Sequence, residues 1–93
     1  MSLTVNKTIT PIKVTGTTSA SQVITDDLIT IKHIYWLKPT AVGDICSLKN
    51  RAGADIVVLT CEAANESQLF PLFTIFDGIY CDDLDSGTLY IYH

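Results

Sequence analysis

The feature that most limits what this chain can become is its rhythm. Short runs of Val, Ile, Thr, Tyr and Phe are broken about every 8–12 residues by Gly, Pro, Asn, Asp or Ser. No stretch carries apolar residues at the i, i+3, i+4, i+7 spacing that would give a helix one greasy face. Branched and aromatic side chains fit a pleated surface, and the interrupting residues turn the chain back on itself. The expectation is an all-β chain with little or no helix.

Residues 3–14 alternate loosely, with Val5, Ile9, Ile12 and Val14 set among Thr, Asn and Lys. Pro11 has no N–H for a ladder, so any strand there lies at an edge or contains a bulge. Residues 1–14 therefore read as an edge strand or as an extended arm that orders on a partner. After the turn-forming stretch 15–21 (TGTTSAS), residues 22–24 and 28–38 read as strands separated by the turn pair Asp26 and Asp27. Alternation puts Ile29, Ile31, His33, Tyr35 and Leu37 on one face of the longer strand. The other face, with Leu28, Thr30, Lys32, Ile34, Trp36 and Lys38, is mixed, and a Trp flanked by lysines suits an interface.

Beyond the connection 39–43 (PTAVG), strands at 44–49 and 54–63 flank Asn50-Arg51-Ala52-Gly53. Asn and Gly accept positive φ, which makes this the clearest hairpin. Residues 68–76 form an aromatic strand with Phe70, Phe73 and Phe76, where Pro71 again implies an edge or a bulge. Asp77-Gly78 then turns into 79–81, and the acidic turn 82–87 (DDLDSG) leads to a last strand, 88–92. In that strand Leu89 and Ile91 face one side, Tyr90 and Tyr92 the other. Seven or eight short strands read as an antiparallel β-sandwich, jelly-roll-like, with residues 1–93 as a single domain.

A chain of 93 residues buries only about 60–65% of the surface its unfolded form exposes, so its stability is modest unless a partner adds to it. With 47% hydrophobic and 17% charged residues, it has less charge than the roughly 25% of an ordinary domain. Some of that apolar surplus reads as interface. The net charge is -4, and Lys7, Lys13, Lys32, Lys38, Lys49 and Arg51 are scattered, which argues against binding nucleic acid. No apolar run approaches the ~20 residues of a membrane span, and the start lacks a signal-peptide layout. The reading is a soluble protein made in a cytoplasm, with no membrane partner. Cys46, Cys61 and Cys81 are odd in number and far apart, so they read as reduced structural thiols and not as a zinc site.

Catalytic chemistry is not expected. His33 with a cysteine would make a nucleophile and base pair, but nothing marks a group to orient the base or donors for an oxyanion. Asp82, Asp83 and Asp85 lack the alternating ligands and final Glu of a calcium loop and read as a solvated turn. Gly43, Gly53, Gly78 and Gly87 never build a phosphate-binding loop, so no cofactor is expected. Trp36, Tyr35, Tyr80, Tyr90 and Tyr92 read first as core or subunit interface and second as a stacking platform for sugars or bases. Of these, Trp36, Tyr90 and Tyr92 are the candidate interface or ligand contacts.

Four segments carry a resemblance: Ile34-Tyr35-Trp36-Leu37-Lys38-Pro39-Thr40, Gln68-Leu69-Phe70-Pro71, Phe76-Asp77-Gly78-Ile79, and residues 83–92 (DLDSGTLYIY). Together, across roughly residues 13–92, the chain resembles small bacteriophage structural proteins of the virion or decoration type. The resemblance implies a β-sandwich virion protein, a capsid decoration (cement) or head-tail accessory component. It also implies synthesis in the bacterial host cytoplasm, self-association as a homotrimer or homodimer, and capsid or tail proteins as partners. The alternative from the aromatic residues is a carbohydrate- or receptor-binding module.

Overall fold

In a computed structural model that describes residues 3–6 and 11–93, every regular element among the described residues is a β-strand. The elements are β1 (Leu3–Asn6), β2 (Ile12–Gly16), β3 (Gln22–Leu37), β4 (Ile45–Lys49), β5 (Asp55–Thr60), β6 (Gln68–Leu84) and β7 (Thr88–Tyr92). Each pairs antiparallel with its neighbours in the order β1-β2-β7-β3-β6-β4-β5. Of the expected N-terminal strand or arm, residues 3–6 form the outermost strand, with Val5 opposite Val14. Residues 1–2 and 7–10, including Lys7 and Ile9, lie outside the described residues.

The expectation of seven or eight antiparallel strands holds, but their grouping differs from a sandwich of two sheets. One hydrogen-bonded ladder runs through all seven strands, giving a single open sheet. The cause is that β3 and β6 are long, 16 and 17 residues, and each spans what reads in sequence as two strands and a turn. Asp26-Asp27 and Asp77-Gly78 are not turns. They lie where the β3–β6 register slips, between Val23 and Thr25 and again between Thr25 and Leu28, opposite Gly78 at φ +79°. A bulge adds a residue on one strand and bends the ladder without ending it.

The two halves of the long strands have different neighbours. The C-terminal part of β3 pairs with β7, which leads to β2 and β1, whereas the C-terminal part of β6 pairs with β4, which leads to β5. Ile12, Val14, Ile34, Trp36, Leu89 and Ile91 come from the first half; Cys46, Leu48, Val57, Leu59, Cys81 and Leu84 come from the second. They form one buried cluster. A flat sheet with no helix over it leaves both faces wet, so these wholly buried side chains require the sheet to bend over its own inner face.

The turns hold this bend in register. Asn50 caps the β4–β5 hairpin by accepting from Ala54 N through its side chain at 2.9 Å, while Gly53 takes φ +88°. The tip is fastened to the long ribbon by Arg51 N donating to Asp77 O at 2.8 Å. At the other end, Trp36 Nε1 donates to Ser86 O at 2.8 Å, tying the β6–β7 turn to the core.

Candidate interaction surface

Trp36 is fully buried, so the indole that reads as a contact residue between lysines is a core residue instead. Lys38 lies past the end of β3 at φ +50°, and Lys32 sits opposite an irregular stretch of β6, so neither shares its environment. Tyr90 and Tyr92 are half-buried, as are Tyr35 and His33. Residues directly opposite in an antiparallel ladder share a face. The pairings Lys13 with Tyr90, Tyr90 with Tyr35, and Tyr35 with Leu69 therefore make one row across β2, β7, β3 and β6. A second row joins Tyr92, His33 and Pro71, in which the His33 and Tyr92 rings stack at 4.2 Å and 25°.

This aromatic strip runs into the middle of the β3–β6 ribbon. There β3 pairs only with β6, and among the described residues neither outer edge is paired to a third strand. Of the eight exposed large hydrophobic residues among the described residues, six lie on this pair of strands: Val23, Leu28, Leu69, Phe70, Phe73 and Ile75. Single exposed apolar residues are ordinary, but several on one face mark a contact surface, and Leu28, Ile75 and Leu69, opposite Asp77, Thr30 and Tyr35, share the outer face of the ribbon. Residues 68–76 of β6 (QLFPLFTIF) contain no charge at all, which removes the usual protection of a sheet edge.

Phe73 is the most constrained residue of the ribbon. The ladder passes from Ile31 opposite Thr74 to His33 opposite Pro71, so Leu72 and Phe73 together face Lys32 as a bulge. Phe73 has φ +50° and is 73% exposed. A bulky L-residue in the left-handed region costs roughly 1–2 kcal/mol, and here no burial of its ring in the domain offsets it. Strain of this kind held at an exposed aromatic points to a use outside the folded chain. Phe73 stands in the sequence as one of three phenylalanines, but its backbone conformation has no signal there.

The cysteines and acids take other roles. All three cysteines are free and buried. Burial pushes the Cys81 thiol up to about 12, and burial with the nearby Cys81 and Asp83 charges pushes Cys46 up strongly, so neither supplies a thiolate at neutral pH. His33 is engaged with Tyr92.

The expected 82–87 turn is shorter, because residues 82–84 continue β6 in its pairing with β4 and only 85–87 turn; here Asp85 Oδ2 accepts from Ile45 N at 2.8 Å and Asp44 Oδ2 accepts from Ser86 Oγ at 2.5 Å, so these carboxylates fasten loops. Burial, and then the neighbouring Asp85, Asp82 and Asp44, raise Asp83 to about 6. No group of three or more His, Cys, Asp or Glu able to hold a metal ion occurs among the described residues. No helix is long and apolar enough to cross a membrane among the described residues. The chain matches no protein-family profile, no curated protein and no solved structure.

Proposed function

We propose that this chain is a structural assembly protein of a bacteriophage virion, of the capsid decoration or head-tail accessory kind, working by adhesion and not by catalysis. The observation that carries the assembly part is the exposed apolar ribbon of β3 and β6, free of charge over residues 68–76 of β6, with Phe73 held exposed in a strained conformation. The virion part rests on the resemblance of residues 34–40, 68–71, 76–79 and 83–92 to phage structural proteins. We read the bent sheet as equivalent in its packing to a jelly-roll sandwich, a shape that leaves an outer face free for neighbours.

The test is location. An antibody against the purified protein, used on particles from the source bacterium separated on a density gradient, should find the protein in the particle fractions. Its presence only in the free-protein fractions would exclude a virion role.

A second reading has its own observation. The strip of Tyr35, Tyr90 and Tyr92 with stacked His33 offers flat apolar faces with polar edges, the chemistry that recognises sugar rings. A glycan array probed with the protein, and with a Tyr90→Ala variant that loses every positive signal, would support a carbohydrate- or receptor-binding module. A blank array would dispose of it.

A further inference from the structure

No further inference is drawn: the strongest candidate, the outer face of the β3–β6 ribbon on which Leu28, Ile75 and Leu69 stand exposed, carries nothing further because nothing in the structure shows what covers it.

Discussion

At Gly87 a single hydrogen atom decides whether Trp36 keeps its place. Gly87 has φ +79°, and a Cβ there would lie 2.8 Å from Leu37 O and 2.9 Å from Trp36 Nε1. Ala at this position would meet both the left-handed backbone penalty and a clash with the donor that binds Ser86 O. Gly87→Ala should therefore lower stability by about 2–4 kcal/mol in urea melts, with the Trp36 emission shifted even in the folded form. A loss below about 0.5 kcal/mol would mean that the turn moves freely and does not fix the indole.

Asp83 gives a prediction with a defined sign. Its pKa is raised from 3.8 to about 6 in the folded chain, so the folded state holds this proton more tightly than the unfolded one. Its contribution is fully present below about pH 4 and is lost as pH rises through about 6. Asp83→Asn keeps the shape and removes the charge. It should be more stable than the wild type at pH 7, by about 1 kcal/mol once solvent screening is allowed for. The gap should narrow toward pH 4, as read from urea midpoints at each pH; a gap constant with pH would show that Asp83 is not the titrating group.

At the scale of the element, what sequence reveals depends on whether a signal has one structural outcome or two. Asn50-Arg51-Ala52-Gly53 has one, because Asn and Gly in a four-residue loop between alternating runs make a hairpin, and they do. The final strand is equally legible, with Leu89 and Ile91 buried and Tyr90 and Tyr92 half-buried on the other face. Asp26-Asp27 and Asp77-Gly78 have two outcomes, since the residues that turn a chain also bend a strand at a bulge. Facing each other across one ladder, they bend it. The cross-strand pairing that decides this is non-local and leaves no mark on either segment alone. Trp36 was hidden for a related reason: alternation sorts faces but does not say which face the bend will enclose.

The same reasoning isolates Phe73 as the residue whose cost lies in the ribbon itself. Replacing it with Gly relieves the left-handed strain and removes a side chain that the domain leaves exposed. Phe73→Gly should leave the monomer as stable or up to about 1 kcal/mol more stable, while weakening self-association. Thermal melts at high dilution, paired with light scattering at high concentration, separate the two effects. If the monomer loses more than about 1 kcal/mol, Phe73 is a packing residue and the strain has no functional meaning.

For the whole molecule the decisive fact is that an unbroken ladder encloses one shared cluster. Trp36 reports on the half that holds β7 and β2, whereas Cys46 reports on the half that holds β4 and β5. Were these halves separate sheets with separate cores, they would melt separately. Because the side chains of each half complete the burial of the other, neither can open without wetting its partner, and unfolding should be a single two-state event. Trp36 emission and thiol labelling should therefore trace one urea curve with one midpoint, and labelling in native buffer should proceed only through global opening. The raised Cys81 and Cys46 thiols strengthen this expectation, since a folded molecule offers the reagent neither access nor thiolate. Two separated midpoints, with the thiols exposed before the indole, would show that the bend in β3 and β6 is a hinge between two units and not the spine of one.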